Sequence, residues 1–139
     1  MIILDSNVLS ALMDAVPDET VAKWLDKQPR ESVWITSVTL MEVRFGLHVM
    51  PVGRKQGALI QALATLLEAK IQGRIASFDA PAAEQAATLM AQRKVRGRPV
   101  DLRDTMIAGI ALASRATLAT RNTDHFADLS VQVVNPWED

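Results

Sequence analysis

Three acidic residues stand where their neighbours call for apolar or neutral side chains. Glu42 lies in the helix-spaced run SVTLMEVRFGLHV, beside Val38, Phe45, Gly46 and Val49, while Arg44 and His48 project from roughly the opposite side. A carboxylate in an apolar stripe is costly unless it meets a cation, a hydrogen-bond network or water in a cleft. A salt bridge to a core-facing arginine would satisfy Glu42, and so would a bound ion. Asp104 repeats the anomaly at the head of the apolar run MIAGIALA. Stabilisation by the free N–H groups of a first helical turn would account for it, although Asp101 fits that capping role better. Asp5 closes the apolar segment MIIL. It is either part of a strand-to-helix turn capped by Ser6 or Asn7, or a ligand beyond the carboxyl end of a strand, where open α/β sheets bind theirs. Thr120, Arg121, Asn122 and Asp124 follow a strand at Thr117 to Ala119 and open onto the same edge.

Three carboxylates on one rim repel one another, and without a cation some would be driven to bind protons. There are no cysteines and only two histidines, His48 and His125, so the oxygen-rich set favours a hard cation such as Mg²⁺ or Mn²⁺ over zinc. Such an ion lowers the pKa of a water and screens phosphate charge, which makes phosphodiester hydrolysis the natural chemistry. His125 lies near the rim as a candidate general acid, although a histidine in a turn is ordinarily just solvated, and His48 faces away from Glu42.

The elements that must position these groups alternate. Strands are expected at 1–5, 33–36, 75–78, 117–119 and 132–134. Helices are expected at 7–14, 18–27, 37–50 (capped by Ser37), 54–72, 81–95 and 101–114. Pro81 suits a first helical turn, and Gly97 with Pro99 ends the helix before it. This order predicts an α/β fold, a parallel sheet with helices on both faces, and 139 residues suit one domain over 1–139. The net charge of −1 gives no global attraction to polyanions, so nucleic-acid binding would need local patches. The start at MIILD shows neither a charged nor an apolar leader, and no apolar stretch is long enough for a bilayer, so a cytoplasmic protein with no membrane association is expected.

Four blocks in order carry a resemblance: LDSNVLS at 4 to 10, TSVTLMEVRFGL at 36 to 47, DTMIAGIALASRATLATRN at 104 to 122, and VVNPW at 133 to 137. With these the chain resembles the PIN-domain ribonucleases, specifically the VapC toxins of bacterial toxin–antitoxin pairs and their FitB-like relatives. The resemblance implies a three-layer α/β/α sandwich with a mostly parallel central sheet. It also implies an acidic pocket that binds Mg²⁺ or Mn²⁺ and cuts RNA, in a homodimer inhibited by a small antitoxin, with DNA reached only through that antitoxin. By position, Asp5, Glu42 and Asp104 match the family's core acids, and Ser6, Asn7 and Thr120 its polar support. Asn122 stands where many members have Asp, so Asn122, Asp124 or neither completes the metal site.

The densest basic run, RKVRGRPVDLR at 93 to 103, directly precedes Asp104. Cations at a helix end complement its dipole, and they are equally placed to meet a phosphate backbone, with Arg96, Arg98, Arg103 and Arg121 as candidate RNA contacts. Three Phe, three Trp and no Tyr argue against an extended base-stacking platform. Trp24, with Val21 and Leu25, reads as core. Leu40, Val43, Leu47 and Met50 form a second apolar side on helix 37–50, part of which is expected to meet a second copy or the antitoxin. Two other classes of protein compete: a PIN-like scaffold acting through antitoxin and DNA with little nuclease activity, and a phosphoacceptor domain. The latter requires a lysine near the end of the last strand, and VVNPWED has none.

Overall fold

The computed structural model describes residues 1–99 and 101–138. In chain order its elements are β1 (Ile2–Leu4), α1 (Ser6–Met13), α2 (Glu19–Asp26), β2 (Val33–Thr36), α3 (Ser37–His48), α4 (Arg54–Leu66), β3 (Ile75–Ala76), α5 (Ala80–Val95), α6 (Leu102–Ser114), β4 (Thr117–Ala119) and β5 (Val133–Val134). Among the described residues the sheet has five strands in the order β3-β2-β1-β4-β5, and every pairing is parallel. Strand order reverses between β1 and β4, and such a reversal opens a crevice at the carboxyl ends of the two strands. Asp5 follows β1 and Thr120 follows β4, so both stand at that crevice.

Alternation along the strands divides the core in two. Leu4, Val33, Ile35 and Ala119 pack with Val8, Leu9, Val21, Val43, Leu47 and Leu63 on one face of the sheet. Ile3 and Leu118 pack with Ala82, Leu89, Ile107, Ile110 and Phe126 on the other. Helices on both faces make the α/β/α sandwich. On the second face α5 and α6 cross very closely, since a Cβ built on Gly109 would lie 2.5 Å from the Ala82 carbonyl oxygen. Only the absent side chain permits that approach, which locks α6, the helix that carries Asp104, onto α5.

Several local expectations change. Thr36 rather than Ser37 caps α3, its hydroxyl accepting from the Thr39 N–H, while the Ser37 hydroxyl accepts from the Phe78 N–H. Asp5 itself, not Ser6 or Asn7, caps α1. The helix expected over 54–72 ends as α at Leu66 and continues as a π turn, Leu67–Ile71, closed by Gln72 in the left-handed region. The largest change concerns α3, whose two apolar sides exchange roles. Val43 and Leu47 are buried, with Leu40 and Met50 packed against the same core, because α1 and α4 lie on that side. It is therefore not the spare surface expected for a partner. Phe45 and Val49, from the stripe that carries Glu42, are instead 61% and 64% exposed.

Candidate active site

Asp5 is the fixed point of the rim. Its backbone N–H donates to the Ala119 carbonyl at 2.9 Å, continuing the β1–β4 pairing, and its side chain is almost wholly buried. Oδ1 accepts from the Ser6 N–H at 2.8 Å, and Oδ2 accepts from the Thr120 hydroxyl at 2.8 Å and from Asn7 Nδ2 at 3.3 Å. The Thr120 oxygen in turn accepts from Asn7 Nδ2 at 3.3 Å and from the Asn122 N–H at 3.0 Å. With both lone pairs and its hydrogen engaged, this hydroxyl can only point its proton at Asp5. Asn7 Oδ1 accepts from the Arg121 N–H at 3.1 Å, so the segment after β4 is tied to the start of α1. Burial pushes the Asp5 carboxyl above its ordinary range; the Thr120 hydroxyl and the Ser6 N–H draw it back, and the Asp104 charge adds to the rise.

Glu42 and Asp104 approach from α3 and α6. The Ser6 hydroxyl lies between Asp5 Oδ1 at 3.4 Å and Glu42 Oε1 at 3.5 Å. Glu42 Oε2 is 3.7 Å from Arg103 Nη1, which answers the anomaly of an acid in an apolar stripe with a cation from the first turn of α6 rather than from the core. Burial raises the Glu42 carboxyl, Arg103 lowers it, and the charges of Asp5, Asp104 and Asp101 raise it further. Asp101 caps α6 through the Asp104 N–H at 3.0 Å, which leaves the Asp104 carboxylate free to meet His125 Nδ1 at 2.9 Å. The three acids thus feel one another's charge. Among the described residues, however, no three acid or histidine groups close into a ready-made cluster around one point. Glu42 is turned onto Arg103 and Asp104 onto the His125 ring.

The basic run divides by function. Arg93 is buried, forms a two-pronged pair with Asp128 at 2.9 Å, and donates to the Thr105 hydroxyl at 3.2 Å and the His125 carbonyl at 2.9 Å. Arg98 reaches the same Asp128 at 3.4 Å and also bonds the Asp124 carbonyl. These two side chains hold the 3₁₀ turn Thr123–Phe126, and through it His125, against α6. The Arg93 hydrogen bonds keep the Asp128 carboxyl below the usual range. Arg96 is exposed, as are Asn122 and Asp124, and neither of those last two side chains bonds to the acids. Sequence reasoning passed over Arg93 and Asp128 and set His125 aside. The signal for Arg93 was present, because it continues the buried stripe Ala82, Ala86, Leu89 of α5.

Two clefts flank the acids. One, of about 330 Å³, runs from Ser6 and Glu42 over Met13, Val43, Leu47 and Leu59, with a mostly apolar lining. The other, of about 260 Å³, lies beyond Asp104 and is lined by Arg98, Pro99, Asp101 and His125. A chain molecule crossing the rim would therefore meet carboxylates in the middle, an apolar wall on one side and mixed charge on the other.

Comparison with known proteins identifies the fold and the family. The PIN domain model matches residues 2–131. The chain is 38% identical over 138 residues to the VapC ribonuclease Y4jK of Sinorhizobium fredii, covering 99% of each. It is 35% identical over 139 residues to the toxin FitB of Neisseria gonorrhoeae, covering 100% of each. A solved structure of FitAB bound to the IR36 DNA fragment matches with a TM-score of 0.89 at 34% identity, over 100% of this chain and 97% of that one. Fold and sequence agree with these relatives along the whole chain, which belongs to the PIN-domain family, among the relatives of VapC and FitB.

Proposed function

We propose that this chain is a metal-dependent endoribonuclease and the toxin of a toxin–antitoxin pair, one domain working in the cytoplasm. The observation that supports this reading is that Asp5 stands at the strand-order reversal with Glu42 joined to it through the Ser6 hydroxyl, and that both feel the charge of Asp104 from the first turn of α6. Burial and mutual repulsion raise Asp5 and Glu42 there, so both would gain from a cation. Similarity to a VapC ribonuclease and to the toxin FitB supports the activity. FitAB bound to DNA supports a protein partner and contact with DNA through that partner.

The donor set fits a hard divalent ion, Mg²⁺ or Mn²⁺, because every candidate ligand offers an oxygen. Asp5, Glu42 and Asp104 would hold it, with Asn122, Asp124 or neither completing the set. When bound, the ion supplies an acidified water and charge stabilisation at the phosphate. The chain's own residues prepare the rest. Thr120, Asn7 and Ser6 fix Asp5 in one rotamer, while Arg103 and His125 release Glu42 and Asp104. Arg96, Arg98, Arg103 and Arg121 are the candidate contacts with the RNA backbone, Arg98 and Arg103 after leaving Asp128 and Glu42. A second copy of the chain is the expected partner in a homodimer.

The test is cleavage of single-stranded RNA with Mg²⁺, Mn²⁺ or EDTA, by the native chain and by Asp5→Asn and Asp104→Asn. Cutting that needs the metal and disappears in both variants is expected. Cutting that survives EDTA or both substitutions contradicts the reading. The contacts of Arg103 and His125 with two of the acids, together with Asn122, favour a second reading, a scaffold that acts through its partner. That reading predicts an intact protein complex on DNA and no metal-dependent cutting.

A further inference from the structure

The arginines around the rim differ in how their charge is spent. Arg93 and Arg98 are paired with Asp128, and Arg103 with Glu42. Arg121 has no carboxylate partner among the described residues, and its guanidinium lies over the Trp137 ring, 4.7 Å from the centroid. A guanidinium stacked on an indole keeps its in-plane N–H fork available for a bidentate phosphate contact while losing the freedom of a long side chain.

Both halves of this stack are anchored. The Arg121 N–H donates to Asn7 Oδ1, the same Asn7 whose Nδ2 bonds Asp5, so the cation's backbone is set by the network that orients the buried acid. Trp137 donates through Nε1 to Asp18 Oδ2 at 3.1 Å and through its backbone N–H to Asn135 Oδ1 at 2.9 Å. Its ring packs against the core formed by α1 and α2, and β5 just before it is paired with β4 just before Arg121. An aromatic side chain serving only as core would need no such placement against an exposed, unneutralised cation.

We infer that Arg121 is the phosphate anchor that seats the strand beside the acidic rim, and that Trp137 is its positioning residue. This rests on the ribonuclease reading for its substrate. The anchor takes a phosphate neighbouring the one that is cut, because the guanidinium is held on a ring tied to Asp18, the cap of α2, and among the described residues its side chain bonds to none of the three acids. With a net charge of −1 and three acids at the centre of the site, attraction for RNA must come from such local cations.

The experiment uses the full chain and a fluorescein-labelled, mixed-sequence single-stranded RNA. Binding is followed by anisotropy with Ca²⁺ across a salt series, and cleavage kinetics with Mg²⁺. Arg121→Gln and Trp137→Leu should each weaken binding about tenfold, and each should lower the slope of log affinity against log salt by about 0.7. KM should rise while kcat holds. Trp137→Phe, which keeps a ring face, should restore most of the affinity, and the double variant should be no weaker than either single one. If Trp137→Leu does not fold, Arg121→Gln carries the test alone. An unchanged salt slope and KM in Arg121→Gln overturns the anchor while leaving the nuclease standing. Native chain that binds RNA with this slope but never cuts overturns the nuclease while leaving the anchor standing.

Discussion

Asp5 sits at the end of a central strand with four hydrogen bonds to its two oxygens. Glu42 and Asp104 sit on helix flanks, each against a single side chain, Arg103 and His125, which are 54% and 56% exposed. The first acid is oriented by the fold itself, and its donors, apart from the Ser6 hydroxyl, are held by the start of α1 and the end of β4. The other two are oriented by long or exposed side chains that lose little by moving. One fixed carboxylate and two exchangeable ones would suit the proposed site, which would have to admit an ion and a charged chain. A rim made wholly of fixed, unpaired acids would cost the fold far more.

The largest test of this contrast is Asp5→Asn. Loss of an outer group behind a metal ligand costs about 10- to 100-fold, so loss of the fixed ligand should cost more than about 100-fold in cleavage rate. Circular dichroism should show the fold retained. Next comes Thr120→Val, which removes the hydroxyl but keeps the shape. Activity should fall about 10- to 100-fold. Stability should fall by about 1–3 kcal/mol in chemical denaturation, because the Asn7 and Asn122 donors lose their acceptor. If Thr120→Val cuts RNA normally, Asp5 is not held as described.

The third test is pH. Asp5 and Glu42 are raised, so below the ordinary carboxylate range they bear no penalty. The stability of the metal-free chain should fall as pH rises through their folded values. Asp128 is lowered, so its contribution is present above the ordinary carboxylate range and is lost as pH falls through its folded value. Thermal melts against pH should therefore show Asp128→Asn flattening the acid side, and Asp104→Asn, which removes a smaller like-charge contribution and leaves burial in place, flattening the rise side only slightly. Melts that respond the other way would reverse the assignment of strain to the rim. The smallest effect belongs to Arg103→Gln. An exposed pair is worth at most about 1 kcal/mol, so Mn²⁺ affinity measured by calorimetry should tighten by no more than about fivefold. A much larger change would mean that Glu42 is as firmly held as Asp5.

The parts legible in the sequence are those with a period or a local cost. Strand and helix alternation gave the layered parallel sheet, and an acid among apolar residues marked Glu42 and Asp104. What stayed hidden depends on which helix lies where. The two apolar sides of α3 could not be told apart until α1 and α4 were seen to cover Val43 and Leu47 and leave Phe45 open. Arg93 looked like one cation in a basic run, although its place on the α5 stripe already set it inward. The pairing of His125 with Asp104 needs the turn after β4 folded back over α6, a contact across 21 positions that no local pattern announces. No helix among the described residues is long and apolar enough to cross a membrane.

A manganese anomalous difference map from crystals of the native chain tests the central claim most directly. The account predicts one strong peak reached by the carboxylates of Asp5, Glu42 and Asp104, with Arg103 and His125 turned away from it. A map with no peak there, or with the ion held by other residues while Glu42 stays on Arg103 and Asp104 on His125, would contradict it.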